Sequence, residues 1–231
     1  MPTPANALAI MAKAPVAGAV KTRLVPPLSA EQSAEFFRAL LLDQFEHLSS
    51  VTGAARYLFF APADAEAALR ELGGANYEYL AQSDGDLGAR MAQVFVDLWR
   101  RGQRNVVLIG SDLPALPLAI IDEAFTRLAS GEARVVLGPS QDGGYYLVGM
   151  NQPTPEIFAG MSWSHERVLA DTLARLDELD VSYRLLPTWF DLDRVEDFQR
   201  LAELSQSQLR GGMPRTLVYL ESIGFWPVSK P

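Results

Sequence analysis

The sequence predicts an α/β protein built on a single doubly wound, mostly parallel sheet flanked by helices. Short apolar runs bounded by turn residues alternate with longer segments of helical period, which is the pattern of βαβ units. Several of these runs are apolar at successive positions rather than at every second one, as strands covered on both faces must be. The run Val106-Val107-Leu108-Ile109 stops abruptly at Gly110-Ser111-Asp112-Leu113-Pro114. That sets a carboxylate beyond the carboxyl end of a central strand, where parallel sheets form their ligand crevices.

The elements follow in order. Ala7 to Ala12 is a first buried strand, leading into a basic loop over residues 13–24. Ser29-Ala30-Glu31-Gln32 has the capping-box pattern and opens an amphipathic helix through Phe36, Phe37, Leu40, Leu41 and Phe45. Tyr57 to Phe60 is a second strand, and Pro62 starts a helix that ends near Gly73-Gly74. Tyr77 to Leu80 is a weaker third strand. From Asp86 to Arg101, Leu87, Met91, Val94, Phe95 and Leu98 recur at helical spacing, with Gly102 as the stop. A helix from Pro117 to Ala129 follows the central strand. Ala133 to Leu137 and Tyr145 to Met150 are two further strands around a glycine-rich turn. Ser164 caps a helix through Val168, Leu169, Leu173 and Leu176, Val181 to Leu186 is a late strand, and Val195 to Leu209 a late helix.

Residues 1–210 therefore read as one domain, with no internal repeat and no linker. Residues 211–231 form a tail with one more apolar stretch, Leu217 to Ile223, followed by Phe225-Trp226-Pro227. The tail packs on the domain or on a second subunit, so a homodimer is among the expected assemblies. At 231 residues and 48% hydrophobic the chain can bury a substantial core. A formal charge of −8 and a pI near 4.8 exclude a broad nucleic-acid footprint, which needs a basic face. With no cysteine there is no disulfide framework, thiolate metal site or cysteine nucleophile. The first apolar run is too short for a membrane span or a signal core and is broken by Lys13. These features lead to the expectation of a cytoplasmic protein with no membrane span and no nucleic-acid partner.

Four stretches could carry chemistry. Lys13, Gly18, Lys21 and Arg23 crowd one loop of an acidic protein, where backbone and cations could wrap an anion; the bland alternative is a solvated basic loop. The loop has neither the P-loop order nor the Rossmann glycine pattern. In Gln82-Ser83-Asp84-Gly85-Asp86 the glycine allows close approach of a flat ligand, and Gln82 carries the donor–acceptor pair that a base edge needs. Asp86 capping the next helix explains the same residues without a ligand. Asp142-Gly143-Gly144-Tyr145-Tyr146 is either an acceptor wall or a hairpin turn with buried tyrosines. Asp191-Leu192-Asp193 could complete a cation site with Asp112, or Asp193 could cap a helix, just as Asp112 could simply cap its own turn. His47 and His165 read as surface residues, and no Ser-His-Asp set is present.

Together these stretches resemble the small bacterial glycosyltransferase-like proteins known as radical-SAM/selenodomain-associated transferases, within the nucleotide-diphospho-sugar transferase superfamily. The resemblance runs from about Ala7 to Leu204. It is carried by Lys13-Ala14-Pro15 with Gly18 and Lys21-Thr22-Arg23-Leu24, and by Gln82 with Gly85-Asp86-Leu87-Gly88 and Arg90-Met91. It continues through Gly110-Ser111-Asp112-Leu113-Pro114, Gly138-Pro139 with Asp142-Gly143-Gly144-Tyr145, Trp163-Ser164, and Asp191-Leu192-Asp193 with Glu196-Asp197.

The resemblance implies a GT-A-like, Rossmann-related fold. It implies that Lys13, Gly18, Lys21 and Arg23 hold nucleotide phosphates, with Gln82, Gly85 and Asp86 toward the base or ribose. Asp112 would be the metal-binding aspartate, with Asp191 or Asp193 as a second ligand to Mg²⁺ or Mn²⁺, although Ser111-Asp112-Leu113 departs from the common Asp-x-Asp form. Lys21, Arg23 and Asp112 would carry catalysis, and Asp142, Gly143, Gly144, Tyr145 and Trp163 would meet an acceptor or sugar.

The expected partners are a nucleotide sugar or nucleoside triphosphate and a small-molecule acceptor. The reaction expected first is glycosyl transfer from a nucleotide-diphospho-sugar, because Tyr145, Tyr146 and Trp163 could hold a sugar. Nucleotidyl transfer with release of pyrophosphate is the alternative, and it would draw on Arg167 and Arg184 for an anionic acceptor. A non-catalytic nucleotide-binding or scaffold protein is the rival from another class.

Overall fold

The computed structural model describes residues 5–226; Pro227, the rest of the tail and residues 1–4 lie outside the described residues. The strands are β1 (Asn6–Lys13), β2 (Ala54–Ala61), β3 (Glu78–Ala81), β4 (Asn105–Gly110), β5 (Val135–Pro139), β6 (Tyr145–Met150) and β7 (Tyr183–Leu185). They form one sheet in the order β3-β2-β1-β4-β6-β5-β7. Every pairing is parallel except those of β6, which runs antiparallel to β4 and β5. The reason is local: residues 140–144 join β5 to β6, and a parallel return needs a crossover of a dozen residues or more. The chain is thus a mostly parallel, helix-flanked α/β protein, as the sequence predicts.

The helices are α1 (Ala30–Ser49), α2 (Glu66–Gly73), α3 (Leu87–Arg100), α4 (Leu118–Ala129), α5 (Val168–Glu178), α6 (Asp197–Leu201), α7 (Gln206–Gly212) and α8 (Pro214–Ser222). Successive residues of the inner strands feed opposite cores. Leu8, Ile10, Val107 and Ile109 pack with α1, α2 and α4, whereas Ala7, Ala9, Val106 and Leu108 pack with α3 and α5. Both faces of β1 and β4 are covered, which accounts for their unbroken apolar runs.

Helix α1 is covered on two sides. Phe37, Leu41, Phe45 and Leu48 face the sheet, while Phe36 and Leu40 join Phe198, Leu201, Leu209, Met213 and Leu220 in a third core. Its capping box at Ser29 and Gln32 forms as expected. Asp43, whose side chain is fully buried, anchors the start of α8. It accepts hydrogen bonds from the backbone N–H groups of Arg215 (3.1 Å) and Thr216 (2.7 Å) and from Thr216 Oγ1 (2.8 Å), and it pairs with the Arg215 guanidinium.

Four expectations need correction. Pro62 lies in a turn, and α2 starts only at Glu66. Ser164 caps nothing; it adopts φ 66°, and α5 starts after another turn at Val168. The helix expected over 195–209 is two, because Ser205 and Gln208 form a capping box of their own and start α7 afresh. His47 is half-buried against the Leu116 carbonyl (2.8 Å), whereas His165 is exposed as expected. Among the described residues no helix is long and apolar enough to cross a membrane.

Candidate active-site cleft

The winding reverses between β1 and β4: the chain goes from β1 outward to β2 and β3 on one side, then returns to β4 on the other. The loops leaving such a pair of strands diverge and open a crevice at their carboxyl ends. A cleft of about 690 Å³ lies there, within the size range of small-ligand sites. Lys13 lines it from the end of β1, and Lys21, Thr22 and Arg23 from the loop that follows. Gly110 lines it from the end of β4 with Ser111 and Asp112 just beyond, Gln82, Gly85 and Arg90 from the β3–α3 region, Tyr145 and Tyr146 from β6, and Asp193 from beyond β7.

Asp193 arrives there through backbone pairing. The Leu192 N–H donates to the Asp112 carbonyl (3.0 Å), and Trp189 Nε1 donates to the Pro114 carbonyl (3.0 Å). The loop turn is held by Asp197, which accepts from the N–H groups of Asp193 (2.9 Å) and Arg194 (2.7 Å). Asp197, rather than Asp193, therefore satisfies the turn, and the Asp193 carboxylate is left for the cleft. There Lys21 Nζ stands 3.0 Å from Asp112 Oδ2 and 3.5 Å from Asp193 Oδ1, and Arg23 donates to Asp193 Oδ2 at 2.6 Å. Asp112, too, faces the cleft.

Asp191 sits beside this group, receiving a hydrogen bond from Ser140 Oγ (3.3 Å). Burial, and then the nearby Asp112 and Asp142 carboxylates, push its pKa well above the usual carboxylate range, with Lys21 and Ser140 opposing. Negative charge is in local excess at this end of the cleft. An all-oxygen donor set of this kind suits a hard divalent cation. Among the described residues no three acidic or histidine side chains converge closely enough to hold a metal unaided. Asp112 with Asp191 or Asp193 could supply two ligands to such a cation, which would draw the rest of its shell from a bound ligand and water.

At the other end, Gln82 Nε2 donates to the carbonyls of Phe59 (2.9 Å) and Ala12 (3.3 Å). These bonds fix the amide orientation and leave Oε1 as an acceptor for a ligand. Gly85 adopts φ 107° at the cleft wall. Asp86 caps α3, accepting from the Ala89 N–H (2.8 Å), and does not line the cleft. Arg90 does line it, steadied by a bond from its Nε to the Gly85 carbonyl (3.0 Å). The sequence reading gave Arg90 no role. Its signal was a cation in the first turn of a helix, where the macrodipole disfavours one.

The remaining expected residues divide. Gly18 is exposed near the cleft but not in its wall, and Asp191 stands just behind it. Asp142 is exposed and accepts from the Gly144 N–H (3.0 Å), and Gly143 packs against the Glu166 backbone, so this trio builds the hairpin turn. Tyr146 is buried, with its hydroxyl on the Pro187 carbonyl (2.8 Å). Trp163 lies against Gly88 and Phe158, off the cleft, with its buried Nε1 unpartnered. Of the expected acceptor residues, Tyr145 and Tyr146 line the cleft, and neither turns its hydroxyl into it. Burial pushes the Tyr145 phenol pKa up, and the Thr172 hydroxyl opposes that rise without meeting it in hydrogen-bond geometry. Arg167 and Arg184 pair with Asp171 and Glu132 elsewhere on the molecule.

Comparison with known proteins agrees with this architecture. A family model described as "Uncharacterized protein conserved in bacteria (DUF2064)" matches residues 44–165, and that description mentions neither radical-SAM nor selenodomain proteins. The chain is 27% identical to a candidate nucleotide-diphospho-sugar transferase from Desulfovibrio desulfuricans G20, with 95% of each chain covered and a TM-score of 0.87. It shares the fold of a cytidylyltransferase from Leptospira borgpetersenii at 12% identity, with 98% of each chain covered and a TM-score of 0.60. It also shares that of a 4-diphosphocytidyl-2C-methyl-D-erythritol synthase at 10% identity, with 85% of this chain and 96% of that one covered and a TM-score of 0.56. No curated protein sequence matches the chain.

Proposed function

This chain belongs to the bacterial DUF2064 family, and from the cleft and the likeness to the Desulfovibrio protein we propose that it is a metal-dependent transferase acting on a nucleotide-linked donor. The observation that carries the reading is the juxtaposition of Lys21 and Arg23 with Asp112 and Asp193 at the β1–β4 switch point. Cations for phosphate and carboxylates for a divalent ion meet where α/β sheets bind nucleotides. Bound Mg²⁺ or Mn²⁺, held by Asp112 with Asp191 or Asp193, would neutralise charge on phosphate oxygens. Lys13, Lys21, Arg23 and Arg90 would bind and orient the polyphosphate, and the fixed Gln82 Oε1 would accept from a base edge.

The reaction we favour is glycosyl transfer from a nucleotide-diphospho-sugar. Its support is the likeness to the Desulfovibrio protein, with 95% of each chain covered. The aromatic residues do not add to it: the Tyr145 hydroxyl is buried near Thr172, the Tyr146 hydroxyl donates to the Pro187 carbonyl, and Trp163 lies off the cleft. Nucleotidyl transfer is the second reading, favoured by Lys13 and Arg90. Both line the cleft, and neither has a carboxylate within ion-pair distance among the described residues. They would hold the extra phosphates of a triphosphate or of an anionic acceptor.

The test is a thermal-shift panel of nucleoside triphosphates and nucleotide sugars, each with and without Mn²⁺. A ligand at a hundredfold its Kd stabilises the fold by about 2.7 kcal/mol. A metal-dependent shift names the donor, and its products, nucleoside diphosphate or pyrophosphate, separate the two reactions. Asp112→Ala should abolish metal-dependent turnover. A panel with no shift in the presence of metal would sink the transferase reading in favour of a scaffold.

A further inference from the structure

Lys21 differs from every other cation of the cleft. Its backbone is left-handed (φ 47°, ψ 37°), a region unfavourable for a residue with a Cβ. Its side chain is 4% exposed, and its ammonium lies 5.5 Å from the centre of the Phe37 ring. A lysine serving only phosphates would reach into open solvent, as the exposed Lys13 does. Lys21 is instead turned onto Asp112 and Asp193, two of the carboxylates assigned above to a divalent cation. An ammonium is a compact point charge, so it occupies the place and fills the electrostatic role of that cation. The two cannot be held by the same pair at once without severe like-charge repulsion.

We propose that Lys21 is an internal countercation: it holds Asp112 and Asp193 together while the donor is absent, and releases them when phosphate oxygens take its ammonium. The divalent-cation site then opens only with a polyphosphate in the cleft. This rests on the metal-dependent reading given above. A strained backbone at Lys21 and a second cation, Arg23, already on Asp193 are what such an exchange requires. The loop can relax as Lys21 leaves, and Asp193 is not stranded unpaired when it does. By linkage, metal and polyphosphate bind with positive coupling that depends on Lys21.

Titration of the purified protein with Mn²⁺ alone, followed by the electron paramagnetic resonance of the free ion, tests this directly. Lys21→Gln should bind Mn²⁺ on the order of tenfold more tightly than the wild type. Lys13→Gln, which makes the same change in net charge beside the same cleft, should match the wild type. Lys21→Asn, which tolerates left-handed backbone, repeats the measurement if the glutamine variant does not fold. Mn²⁺ binding to the wild type with no gain in the Lys21 variants, or an equal gain in Lys13→Gln, overturns the countercation while leaving the metal-dependent reading intact. If neither the wild type nor a Lys21 variant binds Mn²⁺, even with the stabilising nucleotide of the thermal-shift panel, the metal-dependent reading fails and the countercation with it.

Discussion

Arg90 and Asp191 show how charge is distributed residue by residue. Lys21 and Arg23 are matched by Asp112 and Asp193, so the uncompensated positive charge of the cleft lies at Lys13 and Arg90. Arg90→Ala should therefore weaken nucleotide binding by about tenfold or more, as loss of a charge-assisted bond of roughly 1.5–3 kcal/mol implies. Calorimetry on the panel's best ligand measures it, and Arg90→Lys should restore only part because the fork is lost. Asp191 has the opposite problem. Its pKa is raised in the fold, chiefly by burial, so the native state binds its proton more tightly than the unfolded chain does. Its stabilising contribution is complete below the ordinary carboxylate value near 3.8 and is lost as pH rises through the higher folded value. Asp191→Asn, which keeps the Ser140 contact, should raise Tm at pH 7, by about 2–4 °C for each kcal/mol recovered at this size. The gain should vanish at low pH. A variant no more stable than wild type at pH 7 would show that the carboxylate is not held at a cost.

At the scale of elements, the β5–β6 hairpin turn explains why glycines stand where the sequence alone suggested a ligand. Gly143 has φ 91°, and a Cβ there would run into the Glu166 backbone; its carbonyl also accepts from the Leu169 N–H (2.8 Å), fixing α5 to the turn. Gly143→Ala should cost at least about 2 kcal/mol, from left-handed backbone and clash together. Chemical denaturation would read that loss. The donor affinity should change little, since Gly143 does not line the cleft. Gly88 has a comparable packing role, leaving room for the Trp163 indole against α3.

For the whole molecule, the chain's last described helix is tied to one of its first. Asp43 and Thr216 are 173 positions apart, yet the buried carboxylate caps α8 and pairs with Arg215. Asp43→Asn should deprive the α8 N–H groups and Thr216 Oγ1 of their charged acceptor and destabilise the protein by about 1–3 kcal/mol, while the half-exposed Arg215 keeps its pair with Glu46. Hydrogen exchange should then show α8 opening before the sheet, whereas uniform exposure would mean that α8 and the sheet form one cooperative unit.

Much of this was determined locally and so was legible in the sequence. The apolar runs of β1 and β4 required two covered faces, the period of α3 set its buried stripe, and Ser29 with Gln32 fixed the start of α1, because each signal lies within a few residues of its effect. The Ser205–Gln208 box was equally local but went unread. The carboxyl end of β4 marks the cleft in the sequence itself, since strand order and ligand position are linked in parallel sheets. Tertiary structure alone decided the rest. Lys21 and Asp112 meet across 91 positions, Arg23 and Asp193 across 170. No spacing rule says whether a basic loop will face a phosphate or a carboxylate. Tyr146 and Trp163 carry the same side chains whether they line a sugar site or fill a core; only the packing of Gly138, Gly88 and Phe158 around them turned both inward. Charge pairing and burial are sums over the whole fold, and those sums placed the free cations of the cleft at Lys13 and Arg90.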